Sequence, residues 1–167
     1  MGHREHKEKA PKHVTCAVIT VSDSRTTDTD ESGKLIIGLL EEHGHEVMSY
    51  SLVKDDEERI RSQLESLQKS GVAQVAIVNG GTGVSSRDRT REAADPLIER
   101  EIDGFGELFR ILSYEDIGSP AMLSRASAGV IGKMITFLLP GSPEAAELAM
   151  KKLILPELTH LVYEVGR

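Results

Sequence analysis

The run Asn79-Gly80-Gly81-Thr82-Gly83 is followed by Val84-Ser85-Ser86 and then by Arg87-Asp88. Glycine has no Cβ, so such a loop lets the backbone come close to a ligand. Free N–H groups in a loop between a strand and a helix suit an anion, a phosphate above all. Arg87 and Arg89 add positive charge. Asp88 has the wrong sign for a bare phosphate and the right one for a divalent cation held beside it. A second acidic pair, Asp55-Asp56, follows an earlier apolar run. A plainer reading stands next to each of these. The loop can be a tight connection, Asp88 can satisfy free N–H groups at a helix start, and Asp55 with Glu58 has the form of a capping box. Neither of the two best-known phosphate fingerprints is present. No lysine follows a G-x-x-x-x-G, and G-x-G-x-x-G is absent; Gly132-Lys133 lacks the first glycine at the needed spacing.

The elements that must position these residues alternate. Val14–Val21 is apolar on nearly every residue, which suits a strand covered on both faces. It ends in Ser22, Asp23, Ser24 and Arg25, and the carboxyl ends of strands in open α/β sheets are where ligands bind. A helix follows Asp30, with Leu35, Ile36, Leu39 and Leu40 on one face and Gly44 as its stop. Residues 46–53 alternate as a second strand, with Val47, Ser49, Ser51 and Val53 on one face and Met48, Tyr50 and Leu52 on the other. Ile60, Leu64 and Leu67 form the stripe of the next helix, which Gly71 ends. Val75–Val78 is the strand before the glycine loop. Residues 90–100 have a helical pattern with a break at Asp95-Pro96. Phe105, Leu108, Phe109 and Leu112 then mark one helix face. Residues 122–134 read as a strand or a hairpin arm, and Ile135–Leu139 as a last buried strand. Ser142 is a good N-cap and Pro143 a good first helical residue. Pro156 is expected to interrupt the helix that follows, with Leu158, Leu161, Val162 and Val165 continuing its stripe. The alternation predicts a mostly parallel sheet between helices, with an antiparallel exception around Ser127 to Lys133.

The 167 residues suit one domain, residues 13–167, after a polar arm at 1–12 carrying His3 and His6, with His13 beside it. The carboxylate and cysteine partners of a zinc site are not arranged around these histidines. Aromatics make up 4% of the chain, which argues against stacking platforms for single-stranded nucleic acid, and the net charge of −7 disfavours generic DNA binding. The one cysteine, Cys16, lies in an apolar run; it reads as a small core residue and fits a reducing cytoplasm. No apolar segment is long enough to span a bilayer.

Four segments together carry a family resemblance: Thr20–Arg25 (TVSDSR), Val53–Ile60 (VKDDEERI), Asn79–Asp88 (NGGTGVSSRD) and Leu138–Ala145 (LLPGSPEA). The stretch SRASAGVIGKMITFLLPGSP also fits. The chain resembles the MoaB/MogA family of molybdenum cofactor biosynthesis proteins, closest to the MoaB branch, over nearly its whole length. The resemblance implies a three-layer α/β/α sandwich, a mostly parallel sheet with one antiparallel strand, and a homotrimer, sometimes a dimer of trimers. It implies Mg²⁺-dependent transfer of AMP from ATP to the terminal phosphate of molybdopterin, with release of pyrophosphate. The product then passes to a downstream metal-insertion protein. Asp55 and Asp88 carry over as catalytic and Mg²⁺-holding residues, with Asp56 as the alternative to Asp55. Ser22, Asp23, Ser24, Gly80, Gly81, Thr82, Gly83, Arg87, Ser127, Gly129, Gly141, Ser142 and Pro143 are the expected substrate-binding positions. Asn79 stands where many relatives have threonine or serine. Some MoaB-branch members keep the fold without adenylyl transfer, so a catalytically silent protein that binds pterin or nucleotide is the alternative. A nucleotide-phosphate hydrolase on the same fold is a third reading.

Overall fold

Parallel strands put all their carboxyl ends at one edge of the sheet, and here that edge gathers the loops of interest. The chain is described from residue 10 to residue 167 in a computed structural model. The expected arm over 1–12 lies outside the described residues except for its last three. Strands β1 (Thr15–Val21), β2 (Glu46–Val53), β3 (Val75–Asn79), β4 (Arg100–Glu101), β5 (Ser127–Ile131) and β6 (Met134–Leu139) form one sheet in the order β2-β1-β3-β6-β5-β4. β1 pairs in parallel with β2 and β3, and β3 with β6. β5 runs antiparallel to both β6 and β4. The exception therefore lies where the glycines at 129 and 132 suggested it, with Gly132 at φ +62° turning the hairpin.

Helices cover both faces. α1 (Glu31–Glu42), α4 (Asp103–Ile117), α5 (Pro143–Ala149) and α6 (Leu155–Gly166) pack on one side, where Ile36, Leu40, Phe105, Phe109, Ala146 and Leu158 meet Val18, Ile77 and Phe137. α2 (Glu57–Ser70) and α3 (Thr90–Ala94) pack on the other, where Ile60, Leu64 and Leu67 meet Ala17, Ile19, Ala76 and Val78. Burying each such aliphatic side chain contributes about 1.5–3 kcal/mol. Leu64→Ala would remove about 2–5 kcal/mol by leaving a cavity. Cys16 is a core residue, and burial pushes its thiol up to about 12.

Several local expectations are corrected. A register shift opposite Cys16 and Ala17 breaks the alternation of β2, so Val47 and Tyr50 pack on the same core. Bulges flip the facing of every residue beyond them. The helical pattern over 90–100 is α3 and a 3₁₀ turn at Asp95–Leu97, and Arg100 opens β4. Proline at 96 removes a donor and stops α3 early. Leu108 is exposed rather than on the core face of α4. Residues 119–123 are a 3₁₀ turn, so the hairpin arm begins only at Ser127. Pro156 does not interrupt its helix. A wide turn at Met150–Ile154 carries the Leu155 N–H to Met150 O, five residues back, and α6 continues with proline in its first turn.

Candidate active site

The chain leaves β1 for β2 on one side and returns to β3 on the other. The crevice at the carboxyl ends of β1 and β3 is thus a topological switch point, the usual ligand position in open α/β sheets. Ser22, Asp23 and Ser24 follow β1, and Asp55 follows β2. The glycine loop follows β3, and Gly141, Ser142 and Pro143 follow β6. β1 lies between β2 and β3, so Asp55 and Asp88 do not come from adjacent strands. Both side chains approach the glycine loop, Asp55 at Gly81 and Asp88 at Gly83.

Close approach explains the glycines. A Cβ on Gly80 would stand 2.1 Å from Val21 O, and one on Gly141 would stand 3.3 Å from Gly80 Cα. Gly81 has φ +69°, and a Cβ there would stand 3.0 Å from both carboxylate oxygens of Asp55. A Cβ on Gly83 would stand 2.7 Å from Asp88 Oδ2. The two aspartates therefore flank one glycine loop. The Gly80 N–H is not free for a ligand, because it donates to Leu139 O at 2.9 Å. Among the described residues the N–H groups of Gly81, Thr82 and Gly83 have no partner. Asn79 is buried below the loop, where Nδ2 donates to Thr20 Oγ1 at 3.0 Å and Oδ1 accepts from Ser32 Oγ at 2.7 Å. It ties β3 to β1 and α1.

The two residues of the Asp55-Asp56 pair have different roles. Asp56 is the N-cap of α2, accepting from Arg59 N–H at 2.9 Å. The cap of α2 is therefore one residue later than the expected Asp55–Glu58 box. With arginine at 59 no reciprocal bond completes a box, and Asp55 faces the loop instead. Asp55 Oδ1 accepts from Arg89 N–H at 3.0 Å, and its own N–H donates to Asp23 Oδ1 at 3.1 Å. Burial pushes the Asp55 carboxyl above its ordinary value, and the negative charges of Asp88, Asp23 and Glu92 add to the rise against the Arg89 N–H. Asp88 Oδ2 accepts from Ser85 N–H at 2.8 Å. Asp55 Oδ2 and Asp88 Oδ1 have no hydrogen-bond partner among the described residues. Like charges gathered with unpartnered oxygens suit a cation. Among the described residues no three His, Cys, Asp or Glu side chains form a complete cage. This donor set fits Mg²⁺, which keeps several waters and takes one or two carboxylates.

Most cations around the loop are already paired. Arg89 bonds Glu57 at 2.6 Å, and Arg125 bonds Glu92 at 2.6 Å. Arg25 reaches Ser32 Oγ and Gly141 O, both at 2.8 Å, which joins the loops after β1 and β6. Asp30, the buried N-cap of α1, lies beneath. Burial would raise its carboxyl, but hydrogen bonds from Thr20, Tyr50 and the Gly33 N–H, with Arg25 nearby, hold it below its ordinary value. Arg87 is exposed, and no ion pair holds it among the described residues. Ser142 caps α5 by accepting from Ala145 N–H, with Pro143 first in that helix. Ser22 opens on a cleft of about 760 Å³ beside Lys54, Asp56 and Arg59.

Ser127 and Gly129 make no hydrogen bond to the glycine loop among the described residues, although Ser127 pairs with Leu138 at the same edge of the sheet. Ser127 opens β5 and lines a cleft of about 180 Å³ with Arg91 and Arg110, and its buried Oγ has no partner among the described residues. The space where Gly129 lacks a Cβ is filled by Ile98 Cγ2, 2.4 Å from that position, with Arg100 O at 3.0 Å. Thr90 and Arg125 contact the loop, and Glu92 holds Arg125, without any of the three having been singled out by the sequence. The signal for Arg125 is weak, because it touches Gly83 across 42 residues.

Comparison with known proteins gives the family. Residues 17–160 match the family model described as probable molybdopterin binding domain. Molybdenum cofactor biosynthesis protein B of Bacillus cereus is 52% identical, over 100% of this chain and 99% of that protein. Its counterpart from Bacillus subtilis is 51% identical over the same shares. A crystal structure of molybdenum cofactor biosynthesis protein B is 53% identical, covers 95% of this chain and 99% of its own, and superposes with a TM-score of 0.91. The tungsten cofactor synthesizing protein MoaB from Pyrococcus furiosus is 37% identical with a TM-score of 0.85, over 95% of this chain and 100% of its own. Sequence and fold together place this chain in the MoaB/MogA family of molybdenum cofactor biosynthesis proteins, within its MoaB branch.

Proposed function

We propose that this protein acts in molybdenum or tungsten cofactor biosynthesis as a molybdopterin adenylyltransferase. A terminal phosphate oxygen of molybdopterin attacks the α-phosphorus of ATP. A new P–O bond forms, the bond from the α-phosphorus to the β-phosphate oxygen breaks, and pyrophosphate leaves. The observation that carries the reading is the loop of unpartnered N–H groups flanked by Asp55 and Asp88, each with an unpartnered oxygen. Phosphoryl-type transfers need little covalent chemistry from the protein and much positioning and charge neutralisation. The Gly81–Gly83 amides hold phosphate oxygens, and Arg87 supplies an unpaired cation beside them. Ser22, Asp23, Ser24 and the Gly141-Ser142-Pro143 turn close the same edge. Asp55 and Asp88 hold Mg²⁺, which when bound supplies positive charge against two anionic substrates.

A silent binding protein is the second reading, because the matched family model is described by binding alone and fold does not license turnover. Turnover by the unmodified chain separates the two, and Asp88→Ala then tests the enzyme reading. On the enzyme reading it abolishes pyrophosphate release and leaves assembly intact. On the binding reading the unmodified chain already binds pterin without product.

A homotrimer, alone or paired, accords with the exposed apolar residues Leu108, Ile111, Tyr114 and Ile117 on α4 and Met122 and Leu123 after it. No helix among the described residues is long and apolar enough to cross a membrane. The proposed setting is the cytoplasm, with a metal-insertion protein taking the product.

A further inference from the structure

Four consecutive carbonyl groups of the glycine loop are held. Gly80 O accepts from Thr90 Oγ1 at 2.6 Å, and Gly81 O from Thr90 N–H at 3.1 Å. Thr82 O accepts from Arg125 N–H at 2.9 Å, and Gly83 O from Arg125 Nε at 2.7 Å. No peptide bond here is cis. In a trans peptide the carbonyl and the next N–H point in opposite directions. Holding these carbonyls therefore turns the N–H groups of Gly81, Thr82, Gly83 and Val84 away from Thr90 and Arg125. None of the four has a partner among the described residues.

Arg125 makes one further contact with the same consequence. Its Nη2 donates to Asp88 O at 3.2 Å. The next N–H, that of Arg89, then points the other way and meets Asp55 Oδ1 at 3.0 Å. The guanidinium is itself fixed by Glu92, which accepts from Nη1 at 2.6 Å and Nη2 at 3.3 Å. Arg91 Nη1 donates to Arg125 O at 2.9 Å and anchors the backbone.

We infer that Arg125 is a positioning residue for the adenylyl-transfer site. Its fork, fixed by Glu92, orients the peptides after Gly83 and Asp88, and so keeps the loop amides and the Asp55 carboxylate in one fixed relation. The inference deepens the proposed function and rests on it. It depends on fork geometry and not on charge. Lysine offers one compact ammonium and cannot hold Gly83 O, Asp88 O and Glu92 together.

The test compares the wild-type chain with Arg125→Lys, Arg125→Gln and Glu92→Gln, each first checked for an unchanged melting transition. Adenylyl transfer is assayed with MgATP and molybdopterin. Amide spectra of protein labelled with ¹⁵N-glycine follow Gly83, with Gly38 on α1 as the internal control. A ¹³C carboxyl titration follows Asp55. Both Arg125 variants are expected to lower kcat by roughly 10–100-fold, the range typical of outer-shell partners, with a smaller change in KM for MgATP. The Gly83 amide should shift while Gly38 does not, and Asp55 should titrate higher as the Arg89 N–H turns away. Glu92→Gln should move all three readouts in the same direction by less. Wild-type kcat and Asp55 titration in Arg125→Lys would overturn the inference. If the wild-type chain makes no adenylylated pterin, the functional reading falls, and the Gly83 and Asp55 signals still decide the role of Arg125.

Discussion

Two glycine-bearing stretches end up at opposite extremes of use. In the loop after β3 the carbonyls of residues 80–83 are held and the N–H groups of 81–83 have no partner among the described residues. In the β5–β6 hairpin the backbone pairs with the neighbouring strands from Ser127 to Ile131, and Gly129 is glycine because Ile98 and Arg100 O occupy the space of its Cβ. The first stretch presents backbone to a ligand, and the second presents it to the sheet. What separates them is where each segment's hydrogen bonds go.

The comparison can be broken most sharply through the carboxylates beside the first stretch. Asp88→Ala and Asp55→Ala should each lower adenylyl transfer by about 100-fold or more, the scale of losing one electrostatic contact to the transition state. Pyrophosphate release checks this. Unchanged turnover in either variant would remove that residue from the site. Next, the glycines themselves should part company. Gly81→Ala places a side chain at φ +69° and 2.3 Å from Thr90 Oγ1, so it should cost about 1–2 kcal/mol in backbone strain alone and also impair transfer. Gly129→Ala should cost about 1–3 kcal/mol by overpacking and leave kcat near wild type. Urea unfolding and turnover of both variants test the contrast.

A third test uses pH. The Asp55 carboxyl is raised in the folded state, chiefly by burial, so the folded chain holds that proton more tightly than the unfolded one. Its contribution to stability is therefore present below the unfolded value and is lost as pH rises through the folded one. Asp55→Asn should melt higher than wild type above that window, match it in acid below both values, and lose activity. A lower melting temperature for the variant at neutral pH would contradict the crowding of negative charge at this site. The smallest effect concerns the neighbouring aspartate. Asp56→Ala should cost about 1 kcal/mol through loss of the α2 cap and leave turnover nearly intact.

The layers of the fold could be read from hydrophobic patterning. Nearly continuous apolar runs at 14–21 and 75–78 mark the buried parallel strands, and Ile60, Leu64 and Leu67 mark a helix face. The register slip in β2, the short β4 and the wide turn before Pro156 could not be read there. Each is a short local departure, below the length over which a hydrophobic period can be read. Within the site, the glycine loop and Asp88 were legible because close backbone approach leaves a glycine signature. The choice between Asp55 and Asp56 was not legible, since either can cap a helix and only the fold shows which one does. Arg125 left no pattern, because its role is defined by carbonyls far away in sequence. Ser127 and Gly129 belong to a glycine-rich stretch that pairs into the sheet, and neither bonds to the glycine loop among the described residues.

The most direct measurement is ATP turnover by the purified protein with Mg²⁺ and molybdopterin, following pyrophosphate and the adenylylated pterin together. The account predicts both products in equal amounts, and none without the pterin or without Mg²⁺. Pterin binding with no adenylylated product would contradict it and leave the carboxylates beside the glycine loop without their proposed role.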